Sequence, residues 1–303
     1  MNDIQHRQNL SENLYKRAVI GELYSRAKKW LLWEIILTFI IGFFYSINVI
    51  LLFLNCQNIL IHLPHFSFVA PFLSIFFTLF DNYFIVRKIN KLTVTAASIQ
   101  DDLDSEIFSL PLNEFKINKY GYKSEEKIID ISKFKNWYDY NISLVPLEIG
   151  RIIAQEINCS WDYDLRNSFL KSLIIILGFP FIIISILFFS VDFSIESLLT
   201  CLFSLLYFLN FSLRYFLKNY DTQRKIADLN KKIDILWDKI ISNTFDGDLT
   251  LISRQIQDEL YDSRKTDALV LDCYYQFKKR NQQHDSKNLV KLRVNEYKNR
   301  ESK

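Results

Sequence analysis

Residues 30–54 read WLLWEIILTFIIGFFYSINVILLFL, about 25 residues in which Glu34 is the lone charge. At 1.5 Å rise per residue, a helix of that length crosses a hydrocarbon layer of ~30 Å with some tilt. A second run, of about 21 residues, covers 66–86. Residues 169–218 form a longer apolar tract interrupted by VDFSIE at 191–196, which divides it into a third and a fourth run joined by a tight turn. Helices in soluble cores seldom run to ~20 residues without a polar face. The pattern therefore predicts an all-α membrane protein with four transmembrane helices in two hairpins, 30–86 and 169–217.

Averages over the chain conceal this pattern. The 303 residues are 50% hydrophobic and 23% charged, yet mean hydropathy is only +0.04, because apolar runs alternate with charged segments. There are 26 Phe and 16 Tyr against 6 Gly and 5 Pro. Gly21, Gly42, Gly121, Gly150, Gly178 and Gly247 are isolated, which excludes a glycine-rich phosphate loop and a dinucleotide fingerprint. A net charge of +3 is too small to argue for DNA or RNA. Cys56, Cys159, Cys201 and Cys273 are far apart and suggest neither a disulfide framework nor a zinc site, and His62 with His65 supply too few ligands for a metal. With no nucleophile elbow or metal-ligand cluster, neither catalysis nor a cofactor is expected.

Orientation follows from the basic residues at the run ends. Arg26, Lys28 and Lys29 precede the first run and Arg87, Lys88 and Lys91 follow the second. Arg166 and Lys171 flank the start of the third, and Arg214, Lys218, Arg224 and Lys225 close the fourth. The turns 55–65 and 191–196 contain no Lys or Arg. Both termini and the middle segment are thus expected in the cytoplasm of a multi-pass inner-membrane protein. The first 29 residues lack an apolar leader, so no cleaved signal peptide is expected.

The remaining segments read as helices. In 1–29, Leu10, Leu14, Ala18, Tyr24 and Ala27 mark an amphipathic helix. The middle segment 87–168 opens on a stalk, with Ile89, Leu92, Ala96, Ile99, Leu103 and Ile107 on one stripe. A second stalk opens 218–283, with Ile226, Leu229, Ile233, Leu236 and Ile240. The two stripes make the stalks packing partners and the expected surface for subunit assembly. Asp246-Gly247-Asp248 ends the second stalk, and helical patterning resumes at Leu249. An irregular stretch from Leu110 to Trp137 holds one short helix from Ser124, and Pro146 opens another helix whose apolar face includes Ile149, Ile152, Ile153 and Ile157. The tail, 284–303, is rich in Lys, Asn and Arg and is expected to be loosely ordered.

Three runs carry a polar face: Glu34, Thr38, Gly42, Tyr45 and Asn48 on the first, Ser67, Pro71, Ser74, Thr78 and Asp81 on the second, and Ser197, Thr200, Cys201, Ser204, Tyr207 and Arg214 on the fourth. Either these faces line a water-filled interior, or their small residues let helices approach closely. Glu34, Thr38, Asn48, Ser74, Thr78, Asp81, Ser204 and Arg214 are the pore-lining or gating candidates. Arg214 paired with Glu34 or Asp81 would lock a closed state; the alternative is an Arg214 that snorkels to the interface.

The soluble segments also carry scattered motifs. Gln8-Asn9, Arg17 and Tyr24-Ser25-Arg26-Ala27-Lys28 precede the first run. The middle segment has Ile107 to Asn113 (IFSLPLN), Asn136-Trp137-Tyr138, Pro146, Gly150-Arg151, Gln155, Asn158, Trp161-Asp162 and Leu165-Arg166. After the fourth run come RQIQDELY at 254–261 and Arg264. Together with the topology, this set resembles the SMODS-associated four-transmembrane effector family as far as about Gln283, departing from its pattern at Leu112, Asp267, Ala268 and Cys273. The resemblance implies a bacterial membrane effector of antiphage defence, encoded beside a nucleotidyltransferase that makes a cyclic oligonucleotide. Such an effector damages the inner membrane when the signal appears and kills or arrests the cell.

A cyclic oligonucleotide presents phosphates and purine faces, which call for Arg or Lys beside aromatic rings. The candidates are Arg151, Trp161, Arg166, Arg254, Tyr261 and Arg264. Against this stands a structural reading: Trp161 as an interfacial anchor, an Asp162 to Arg166 helix pair, and Gln257, Asp258 and Arg264 as ties between helices. Four bulky helices do not enclose an aqueous path alone, so a homo-oligomer in the lipid bilayer is expected. The competing function is a non-conducting membrane receptor or scaffold that relays a signal to a partner protein.

Overall fold

The computed structural model describes residues 2–53, 66–111, 131–189, 195–266 and 268–301, with side chains outside the description over 42–53, 66–70 and most of 177–205. The described elements are helical: α1 (Ile4–Arg7), α2 (Ser11–Phe53), α3 (Phe66–Phe80), a π-turn (Asp81–Ile85), α4 (Val86–Phe108), short 3-10 turns at Ser132–Phe134 and Tyr140–Leu144, α5 (Leu147–Phe189), α6 (Ile195–Ile241), α7 (Leu249–Thr266) and α8 (Asp272–Glu301). The chain divides into two compact units. Unit one comprises Met1–Ala27, Asn90–Asn167 and Asp221–Lys303; unit two comprises Lys28–Ile89 and Ser168–Tyr220. The short helix expected from Ser124, the turns at 55–65 and 191–194, and His62, His65 and Cys56 lie outside the described residues.

Unit one has an apolar interior. Both stalk stripes are inside it: Ile99, Leu103 and Ile107 of α4 and Ile226, Leu229, Ile233, Leu236 and Ile240 of α6 belong to one cluster with Ile152 and Ile153 of α5 and Ile256 and Leu260 of α7. The stalks therefore share one core, as their stripes predict, and an assembly surface on them would have to use faces other than these buried stripes. The expectation of a loose tail is corrected. Helix α8 runs to Glu301 and inserts Val290, Val294 and Tyr297, spaced four and three apart, into the same core.

Local chemistry explains the breaks. Leu10 is exposed at the bend between α1 and α2, whereas Leu14 and Ala18 beyond it are buried. Helix α4 ends at Ser109, which takes the left-handed conformation (φ 51°), with the Leu110 amide donating to Ser105 O at 2.9 Å. Between α6 and α7 the chain turns at Asn243 (φ 58°), and Asp248 caps α7 by accepting from the Thr250 amide at 2.7 Å. At the start of α5, Gly150 lies under the N-terminal segment. A Cβ there would meet the Ile142 and Ile4 side chains at 3.2 and 3.3 Å and would collide with the Asn2 amide, which donates to Ile142 O and Val145 O.

Unit two buries polar as well as apolar side chains and exposes large apolar ones; Leu31, Phe169, Leu173, Phe211 and Tyr215 are inside it. Glu34, Thr38, Ser74, Asp81 and Ser212 are buried, while Trp33, Phe72, Leu79, Phe84, Ile175 and Leu213 are exposed, Phe72 by 70% and Ile175 by 72%. Among the described residues no helix is long and apolar enough to cross a membrane. Much of the four sequence runs falls on residues whose side chains are outside the description.

Candidate functional site

Within unit two, Arg214 of α6 is the centre of a polar cluster. Its Nη2 donates to Asp81 Oδ2 at 2.7 Å and to Glu34 Oε1, and its Nη1 donates to Asn82 Oδ1 at 2.6 Å. The Glu34 and Asp81 side chains are only 4% and 1% exposed. Asp81 and Asn82 are consecutive, and the π-turn that starts at Asp81 is the local departure from α-geometry at the point where both reach one guanidinium. Thus the structure brings together the three charges singled out in the sequence.

The small polar residues beside this cluster bond to backbone. Thr38 Oγ1 donates to Glu34 O at 2.8 Å and Thr78 Oγ1 to Ser74 O at 2.7 Å, each within its own helix. Ser74 Oγ accepts from the Tyr207 amide at 3.0 Å, which requires α3 and α6 to approach closely at a residue without a large side chain. The side chains of Asn48 and Ser204 lie outside the description.

In unit one the predicted ligand cations are engaged within the chain. Arg151 wraps the end of α4, donating from Nε to Phe108 O, from Nη2 to Ser109 O at 3.1 Å and from Nη1 to Thr250 Oγ1 at 2.9 Å. It thereby satisfies carbonyls that a helix end leaves open. Arg166 bridges Asp162 at 3.0 Å and Ala268 O at 2.8 Å. Arg254 donates to Asp101 at 2.9 Å, Ser105 at 2.7 Å and Asp258 at 2.8 Å. Arg264 donates to Asp104 at 2.7 Å; burial opposes its charge, but the Asp104 carboxylate outweighs burial and the net pKa shift is upward. Gln155 exchanges bonds with Ser253, donating to its carbonyl and accepting from its hydroxyl, both at 2.8 Å. Tyr261 meets Ser98 at 3.4 Å, hydroxyl to hydroxyl.

These bonds connect one polar face of α4 (Asp101, Asp104, Ser105) to one of α7 (Ser253, Arg254, Gln257, Asp258, Arg264), with α5 contributing Arg151 and Gln155. The spacing of three and four along each helix is what puts the partners on facing stripes. The acidic partners Asp101 and Asp104 were missed in the sequence because acidic residues on a stalk read as a solvated face. A further arginine, the half-buried Arg293, grips Glu156 through two guanidinium nitrogens, the shorter contact 2.6 Å, and meets Asp234 at 2.9 Å. Burial pushes the Glu156 carboxyl up and the Cys159 thiol up, so the Cys159 thiolate is disfavoured. Among the described residues, no group of His, Cys, Asp and Glu is placed to hold a metal ion.

Trp161 stands apart from these pairs. Its ring lies 6.4 Å from Trp137 and 6.4 Å from Tyr275, tilted by 34° and 39°. Trp137 belongs to a segment clamped by the N-terminus: Gln8 accepts from the Tyr138 amide at 2.8 Å and donates to Tyr138 O at 3.1 Å, and Asn9 accepts from the Asn136 amide at 3.0 Å. Two motif pieces that are far apart in sequence thus hold each other in space. Arg17 and Tyr275, which share this neighbourhood, were not singled out as ligand residues from the sequence. Their only sequence signal was that Arg17 belongs to the quoted motif set.

No curated protein and no solved structure matches the chain. The family model of the SMODS-associating 4TM effector domain matches residues 2–291, nearly the full length, and the chain belongs to that family.

Proposed function

We propose that the protein is a bacterial inner-membrane effector of antiphage defence that a cyclic oligonucleotide activates, and that activated subunits associate and permeabilise the bilayer. The observation that carries this reading is that unit two exposes large apolar side chains and buries charged and polar ones beside its apolar contacts. Large side chains such as Phe72, Leu79 and Ile175 face outward, while Glu34, Asp81 and Ser74 are buried. Such a surface is unfavourable in water and suited to lipid, where buried polar groups rather than apolar area hold helices together. The four apolar runs and the basic residues at their ends support a multi-pass arrangement with both termini in the cytoplasm.

In this reading the Arg214 cluster is a closed-state lock. Its bonds to Glu34, Asp81 and Asn82 hold three helices at one depth, and opening requires that they exchange for water. Purified protein in dye-loaded liposomes, titrated with cyclic di- and trinucleotides, tests the proposal. Nucleotide-dependent release is expected, and nucleotide binding or subunit association without release overturns it. That second outcome describes a non-conducting receptor, which is favoured by one observation: Ser74 takes the Tyr207 amide, so this part of the polar face serves helix packing.

A further inference from the structure

We propose that Arg17, Trp137, Trp161 and Tyr275 of unit one form a nucleotide site, with the guanidinium of Arg17 receiving a phosphate and the aromatic row receiving a base. The inference rests on the proposed function only for the identity of the ligand as a cyclic oligonucleotide.

Arg17 differs from the other arginines of its unit that point inward. Arg151, Arg166, Arg254, Arg264 and Arg293 each donate to carboxylates, hydroxyls or carbonyls of the chain. Arg17 is buried, 9% exposed, and its Nη1 has no hydrogen-bond partner. Arg254 leaves its Nε open too, but both of its terminal nitrogens are engaged, with Ser105, Asp101 and Asp258. Leaving a charged donor unsatisfied in the interior is costly, and a native structure keeps such a group where something outside the chain completes it. Burial lowers the Arg17 pKa, and the nearby Asp104 carboxylate, already engaged by Arg264 and Gln257, only partly offsets this. An anionic ligand would satisfy the open N–H and the charge together.

The aromatic row supplies the other half. The Arg17 guanidinium sits 4.9 Å over the Trp137 ring and 5.9 Å over Tyr138. Trp137 continues to Trp161 and Tyr275, with 6.4 Å between successive rings. Trp137 is 51% exposed, whereas Trp237 of the same unit is buried in the core. Core packing does not account for an open indole whose neighbours Asn136 and Tyr138 exchange four hydrogen bonds with Asn9 and Gln8. A π-surface beside an unpaired guanidinium matches a base joined to a phosphate, and neither an inorganic anion nor an apolar molecule uses both. Nη1 is buried in the ligand-free chain, so a phosphate reaches it only when the side chains around it move.

The test uses the full chain in neutral detergent, titrated with cyclic di-AMP, cyclic di-GMP and cyclic tri-AMP by calorimetry and tryptophan fluorescence. At least one of these is expected to bind and to change the fluorescence, and Trp137→Ala and Arg17→Gln are each expected to weaken it by about tenfold or more. Trp137→Phe should recover most of the loss. Arg17→Gln risks misfolding, so its circular dichroism is compared with the parent; Trp137→Ala, at an open position, carries the test if it fails. Absence of binding by all three nucleotides, or unchanged affinity in Trp137→Ala, overturns the site. Dye release run in parallel separates the two proposals. Binding lost in the variants, with no release from the parent, supports the site and defeats permeabilisation; release triggered equally in parent and variants does the reverse.

Discussion

Unit one and unit two both bury aspartate against arginine, but they do so in different surroundings. In unit one the pairs Arg254–Asp101 and Arg264–Asp104 sit beside an apolar core whose burial supplies the main stabilisation, so the ions fix which helix faces meet. In unit two Arg214 is shared by two carboxylates, and bulky apolar residues such as Phe72, Leu79 and Leu213 are exposed. There the polar cluster joins helices that also meet through buried rings, as Phe169 does with Tyr215. Ion pairs therefore specify which faces meet in both units, but only in unit two is one cation shared by two buried carboxylates.

The largest effect should come from breaking a pair in unit one. Asp104→Asn leaves Arg264, whose side chain is 11% exposed, without its carboxylate. A loss of about 3–5 kcal/mol is expected, because an uncompensated buried charge remains. Urea unfolding followed by tryptophan fluorescence measures it. A loss under about 1 kcal/mol would mean water reaches this interior, and the contrast between the units would collapse.

In unit two, Asp81→Asn leaves Arg214 with Glu34 and Asn82, so the expected loss is smaller, about 2 kcal/mol on scales for charges inside a membrane. Its signature is functional: dye release without nucleotide should rise above that of the parent. If permeability is the same as the parent's both at rest and with nucleotide, the cluster is a helix tie and not a lock.

How far this contrast could be read in advance differs between the units. Period and run length carry a strong signal, so the apolar runs, both stalk stripes and the grouping of Glu34, Asp81 and Arg214 were legible in sequence. The arginines of unit one were legible only as two alternatives, ligand contacts or ties such as Asp162 to Arg166 and Arg264 between helices, because Arg plus aromatic residues is the composition of a phosphate site and equally of a buried ion-pair network. Only the positions of Asp101 and Asp104 across from them decide, and those depend on how α4 and α7 pair. The tail was misread for a related reason. Its polar majority hid Val290, Val294 and Tyr297, three residues whose spacing is enough to anchor a helix. Arg17 was invisible as a site because an unsatisfied donor is a property of the packed structure alone.

A smaller effect is expected at Arg151, which closes the C-terminal end of α4. Arg151→Met keeps much of the side-chain volume and removes the bonds to Phe108 O and Ser109 O, with an expected loss of about 1–2 kcal/mol in the same unfolding assay. Nucleotide affinity should stay at the parent value in the folded fraction. Loss of affinity without loss of stability would return Arg151 to the ligand site and weaken the view that unit one uses its arginines to fix helices.

The smallest effect sharpens the comparison most, because it holds geometry constant. Lys232 Nζ meets Glu259 Oε1 at 2.8 Å, as short as Arg254 to Asp101 at 2.9 Å, but its side chains are 60% and 48% exposed against 9% and 8%. In water the attraction is screened and both long side chains give up rotamer freedom to meet. Lys232→Ala should therefore change stability by less than about 0.5 kcal/mol, and added salt should erase even that. Arg254→Met, at the same separation, leaves Asp101 buried without its cation and should cost several times more, with little salt dependence. Equal losses at the two sites would mean that distance rather than burial sets the strength of these pairs. The distinction between the interior of unit one and its surface would then have no energetic content.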